Sequence, residues 1–158
     1  MRVVLCSGSP RRKDIFSLIF ENFEIIIPNI VENFFSSDIF ESVKNLAEQK
    51  VSAGFDLYVG KPEYRSVQDD ILAIGSDTVV FLDSVFGKPR NADEAESFIK
   101  KLSGKKHSVI TGVSAIYNGN KLFSFYDETT VEFRNLSQEM IKRYILLDEW
   151  VGVAGGYR

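Results

Sequence analysis

VVLCSGSPRRKDIFSLIF, residues 3–20, runs from an apolar stretch into a serine-flanked basic turn and straight on into an amphipathic segment. VVLC has the length and character of a short buried strand. Ser9 is a favourable N-cap and Pro10 a favourable first helical residue. The pattern predicts a helix from about Arg11 to Glu21, with Ile15, Phe16, Leu18 and Ile19 on its apolar side. A helix that begins directly after a strand presents free backbone N–H groups and a partial positive charge at the turn. Gly8 lets the backbone approach a ligand closely, Ser7 and Ser9 add hydroxyl donors, and Arg11 and Arg12 offer paired N–H groups to a phosphate. These residues suit a phosphate or carboxylate cradle. A capped helix carrying two solvated arginines is the alternative reading. The G-x-x-x-x-G-K-[ST] spacing is absent.

Outward from this turn, strands and helices alternate and then strands cluster. FEIIIPN (23–29) reads as a strand that ends at a proline, and a second helix is expected from about Asp38 to Ala53. Residues 51–70 are turn-rich and read as a surface excursion. ILAIGSDTVVFLD (71–83) is the strongest strand signal, broken at Gly75-Ser76-Asp77. ADEAESFIKKLSG is the clearest helix: Asn91 caps it, Glu94 completes a capping box, and Ala95, Phe98, Ile99 and Leu102 form its inward stripe. HSVITGVSAIY and KLFSFY flank an Asn-Gly turn and predict a hairpin. TTVEFRNL reads as another strand, and Ser137 opens a last helix through Tyr144 and Leu147. The expected fold is α/β, with long antiparallel strands in the sheet.

The 158 residues suit one domain with a single sizeable core. The net charge of −3 argues against a nucleic-acid polymer as partner. Cys6 is the one cysteine, so no intramolecular disulfide is expected, in keeping with a reducing compartment. No stretch approaches the ~18 apolar residues of a membrane span, and MRVVLCSGS turns polar too soon for a signal peptide. A cytoplasmic domain without membrane contact is the expectation.

Four further residues carry chemistry. Asp77 sits within an apolar strand, where a carboxylate is costly unless paired, hydrogen-bonded or metal-bound. An aspartate bonded to turn amides is the bland alternative. Glu32 could supply a second carboxylate near the same sheet end, or stand as an exposed loop acid. Two carboxylates facing a phosphate cradle would suit Mg²⁺. Lys50 falls at i+7 from Val43 on the stripe Val43, Leu46, Ala47, so its ammonium must meet an anion or snorkel outward. Replacing a phosphate-gripping Lys50 with methionine would then leave the fold no less stable, because an unpaired inward charge is removed. Lys88, in the FGKP loop, is placed for an anionic ligand or for water. Lone His107 reads as a hydrogen-bonded residue at the start of a strand, and Cys6 as core.

Together these segments resemble the Maf family of nucleoside triphosphate pyrophosphatases. LCSGSPRRKDIF resembles the family's L-A-S-x-S-P-R-R-x-x-L-L, LAEQKV its L-A-x-x-K-A, and GSDTVV its A-D-T-V-V. GKPRNADEAESFIKKLSGKKHSVITGV is similar to a long family stretch ending L-S-G-x-x-H-x-V-x-T-G-V, and TTVEFRNLSQEMIKRYI to the segment that follows. Near residue 150 the family reads roughly E-P-L-D-K-A-G-G-Y-G-I-Q-G; here Gly152 and Val153 stand for the Asp and Lys, and the glutamine has no counterpart.

The resemblance implies a long mixed, largely antiparallel twisted sheet flanked by helices, with two lobes and a central cleft, as one domain over residues 1–158 lacking the family's last strand and helix. An uncovered sheet edge invites another chain, so a homodimer is one expectation. It implies hydrolysis of a nucleoside triphosphate to the monophosphate and pyrophosphate with Mg²⁺ or Mn²⁺. Asp77 would activate water or bind metal, Glu32 would help hold the metal, and Ser7, Ser9, Arg11, Arg12, Lys50 and Lys88 would bind phosphates. The arginines after Ser9-Pro10 resemble the branch acting on dTTP and UTP; the branch associated with 7-methyl-GTP has tryptophan after that proline. The other class in view is a nucleotide-binding regulator of cell division, through the family's association with septum formation.

Overall fold

The computed structural model describes residues 1–31, 38–64 and 69–158. Among them are six strands, β1 (Arg2–Cys6), β2 (Glu24–Ile25), β3 (Ile71–Phe81), β4 (Val85–Phe86), β5 (Lys106–Tyr117) and β6 (Asn120–Glu132). Four α-helices accompany them: α1 (Pro10–Ser17), α2 (Ile39–Val59), α3 (Ala92–Leu102) and α4 (Gln138–Ile145). The sheet order is β2-β1-β3-β5-β6, with β4 paired to β3. It is mixed: β1 runs parallel to β2 and β3, and β3 antiparallel to β4. The α/β expectation holds. β5 and β6 join through Asn118 and Gly119, both at positive φ (49° and 82°), as a two-residue hairpin turn matching strand twist requires. No described helix is long and apolar enough to cross a membrane.

The chain divides into two compact units, residues 1–77 with 111–126 and residues 78–110 with 127–158. In the first, Val4, Cys6, Ile26, Val51, Tyr58, Ala73 and Ile116 form the core. Asp38 caps α2, its carboxylate accepting from the Phe40 and Glu41 amides. The helix does not stop near Ala53 but continues to Val59, and β3 is not broken at Gly75 but runs through it. Both differences have one cause: the glycines are contact points between helix and sheet. A Cβ on Gly54 would strike Cys6 Sγ, and one on Gly75 would lie 2.8 Å from the Val51 nitrogen. Gly75→Ala must therefore push α2 off β3. We expect a loss of about 1–3 kcal/mol, as for overpacked cores, read from denaturant unfolding; an unchanged midpoint would mean that the helix yields freely.

α1 departs most from expectation. It ends at Ser17 and buries no residue; Ile15, Leu18 and Ile19 are 57%, 86% and 68% exposed. Aromatic contacts anchor it instead, with Phe16 lying 5.1 Å from Phe20 and 5.4 Å from Phe23 between ring centroids. Beside it, β2 keeps only two paired residues. Tyr58 and Tyr64 stack at 4.2 Å and both donate to the Glu24 carboxylate. Burial works to raise the Glu24 pKa, but those two hydrogen bonds together with the charges of Arg2 and Lys61 outweigh it and hold the carboxyl below its usual value.

In the second unit, Val80, Phe86 and Leu102 pack with Phe98, Val109, Phe133 and Tyr157. Asn91 caps α3, accepting from the Glu94 amide. The Glu94 carboxylate accepts from the Arg90 amide and guanidinium rather than from Asn91, so the capping box is only half formed. Ser137 caps α4, accepting from Met140. Of the separate strand expected at TTVEFRNL, Thr129 to Glu132 are the end of β6 and the remaining residues are not strand. β6 ends the sheet path, with Leu122, Phe123, Phe125 and Tyr126 40–58% exposed.

His107 is buried, its Nε2 2.8 Å from the Tyr157 hydroxyl. Burial lowers its pKa from 6.5, so the unfolded chain binds more protons there than the folded one. Stability from this site is present above pH 6.5 and is lost as pH falls below that value. Urea midpoints are expected to drop between pH 7 and pH 5.5, and by less in His107→Asn. Equal drops in both chains would assign the loss to other groups.

Candidate active site

The turn after β1 is built as a self-braced loop. Ser7 is buried, and its Oγ accepts from the Ser9 amide at 3.2 Å and from Arg12 Nη1 at 3.1 Å. Ser9 occupies the N-cap position before Pro10, but its side chain makes no capping bond. The first-turn amides of α1 are thus not closed off by the usual cap. The two arginines divide: Arg12 turns back to Ser7, whereas Arg11 is exposed. Consecutive helical residues diverge by about 100°, which is why one braces the turn and the other faces water.

Lys50 and Asp77, 27 residues apart, form a buried ion pair between Nζ and Oδ1. Their side chains are only 10% and 9% exposed. Lys50 therefore meets an anion rather than snorkelling, and Asp77 has a charged partner rather than turn amides alone. This corrects the stability expectation for Lys50. Removing the ammonium strands a buried carboxylate, which is destabilising.

Register brings the pair to the serine turn. β1 and β3 are parallel with Cys6 opposite Gly75, so Ser7, which follows β1, and Asp77, inside β3, lie one and two residues beyond that pair on adjacent strands. Neighbouring strands lie about 4.8 Å apart. α2 closes the arrangement because Val51, next to Lys50, packs on Gly75 and accepts the Cys6 thiol at 3.9 Å. Cys6 is fully buried, and burial pushes its thiol up to about 12. It is core, not a nucleophile.

Lys88 lies in the second unit, exposed between Gly87 and buried Pro89. Glu32 falls outside the described residues. The structure thus places Ser7, Ser9 and Arg12 in the turn after β1 and pairs Lys50 with Asp77 on the adjacent strand β3. The sequence reading missed Gly75, which lets Val51 and hence Lys50 settle beside Asp77. A glycine two residues before an inward aspartate was the available signal.

A turn that leads from a strand into a helix N-terminus is an arrangement that α/β proteins commonly use to bind anions. The chain matches the family described as Maf-like protein over residues 2–158, and it belongs to that family. Among curated relatives, the dTTP/UTP pyrophosphatase of Bacillus cereus (strain Q1) is 40% identical over 158 residues, covering 99% of this chain and 77% of that protein. The dTTP/UTP pyrophosphatase of Thermosipho africanus (strain TCF52B) is 38% identical, covering 99% and 75%. Among solved structures, the Staphylococcus aureus Ham1 protein aligns with a TM-score of 0.47 at 14% identity, over 84% of this chain and 71% of that one.

Proposed function

We propose that this chain is a nucleoside triphosphate pyrophosphatase acting on dTTP, UTP or modified pyrimidine triphosphates. The reaction adds water across the α–β phosphoanhydride, giving nucleoside monophosphate and pyrophosphate. Family membership and the relatives' names support the reaction class. The observation that carries the reading is the buried Lys50–Asp77 pair on β3, beside the strand whose end leads into the Ser7–Arg12 turn.

In this reading the α1 amides, Ser9 and exposed Arg11 receive phosphate oxygens, while Arg12 keeps Ser7 in place. Lys50 orients the Asp77 carboxylate, which takes the proton of the attacking water or holds a cation. Lys88 binds a further phosphate. Among the described residues no group of three or more His, Cys, Asp or Glu gathers to hold a metal. Asp77 alone still fits Mg²⁺ or Mn²⁺, ions commonly held by one or two carboxylates with substrate phosphates and water. Glu32 would be the second carboxylate. The cation would supply charge neutralisation on the phosphates. The exposed β6 edge makes a homodimer part of the proposal.

A panel of triphosphates assayed for pyrophosphate release with Mg²⁺ or Mn²⁺ tests the reading. Fastest release is expected from dTTP and UTP. Tight nucleotide binding without pyrophosphate release would overturn catalysis and favour the regulatory class. Faster release from purine triphosphates would overturn the base assignment alone.

A further inference from the structure

We infer that the Gly155-Gly156 pair is a positioning device for Lys88, a role that rests on the phosphate-binding reading of that lysine. The lysine's two neighbours are both held by this segment. The Gly155 amide donates to the Gly87 carbonyl at 2.9 Å. Gly156 packs on the far side, where a Cβ would lie 3.4 Å from Pro89 Cγ and 3.7 Å from Ala95. The segment is itself anchored. The Tyr144 hydroxyl donates to the Gly156 carbonyl at 3.0 Å, and the Tyr157 ring packs 4.8 Å from Phe133 and 5.5 Å from His107.

Both glycines are dictated by the backbone. Gly155 and Gly156 have φ of 69° and 71°, in the left-handed region. A side chain at 155 would also meet Val80 Cγ2 at 2.7 Å and the Tyr157 ring at 3.0 Å. Gly87, by contrast, is exposed, and nothing lies within 4 Å of its Cβ position. An exposed glycine before Lys88 would leave the lysine's backbone free to sample many conformations. The Gly155–Gly87 hydrogen bond removes that freedom before a ligand arrives. A lysine held in advance loses less entropy when it meets a phosphate.

The test is a double-mutant cycle on binding, read by calorimetry with a non-hydrolysable α,β-methylene analogue of dTTP. Lys88→Met is expected to weaken binding about tenfold, the loss of one hydrogen bond to a charged group. Gly155→Ala is expected to weaken it several-fold in the native chain and to have no further effect in the Lys88→Met chain. Tyr144→Phe removes only the hydroxyl that holds Gly156, so it keeps the cycle readable if Gly155→Ala does not fold. Its smaller effect should likewise vanish without Lys88. Equal effects of Gly155→Ala with and without Lys88 would overturn the positioning role while leaving Lys88 as a phosphate ligand. Unchanged binding in Lys88→Met alone would overturn the phosphate role and, with it, this inference.

Discussion

Asp77→Asn is expected to lower triphosphate turnover by two or more orders of magnitude, the usual scale for loss of a general base. The substitution preserves shape, and an amide oxygen can still accept from Lys50, so the chain should fold. It should nonetheless be less stable, because the buried Lys50 ammonium loses the Asp77 charge beside it. The loss should be part of the roughly 3–5 kcal/mol that follows from breaking a buried pair. Steady-state pyrophosphate release with Mg²⁺, together with urea unfolding, reads both effects. Near-native turnover would remove Asp77 from the chemistry, whatever happened to stability.

Lys50→Met carries the second large effect and separates structure from chemistry. The buried pair predicts a loss of about 3–5 kcal/mol, because the Asp77 carboxylate is left without its partner. Replacing both residues, as Lys50→Met with Asp77→Leu, should recover most of that stability, since apolar substitutes for buried pairs are often neutral or stabilising. The double variant should still be inactive, because neither the carboxylate nor the ammonium remains. A Lys50→Met chain as stable as the native one would mean that the pair contributes nothing to the fold. Native turnover in the double variant would place the chemistry elsewhere.

Much of the local structure was legible in the sequence. Asn91 and Ser137 cap their helices, and Asn118-Gly119 turns the β5–β6 hairpin. Caps and tight turns are settled within a few residues, so nearest neighbours suffice to predict them. The misread breaks in α2 and β3 involve distant partners. Gly54 and Gly75 look like breaks but are contact surfaces, because their meaning depends on Cys6 and Val51. Ile15, Leu18 and Ile19 look like an inward stripe, yet Phe16 anchors α1 through Phe20 and Phe23.

The sequence by itself determined the family, the α/β class and the individual residues of the candidate site. Apolar periodicity placed Lys50 and Asp77 inward, and the turn chemistry marked Ser7 to Arg12. Only the tertiary structure decided that Lys50 and Asp77 are each other's partner, that Arg12 rather than Arg11 braces the turn, and that Gly155 holds the loop of Lys88. The physical reason is range. A side chain's polarity and spacing dictate whether it must be buried, but its partner is fixed by strand register and helix packing, which join residues far apart in the chain.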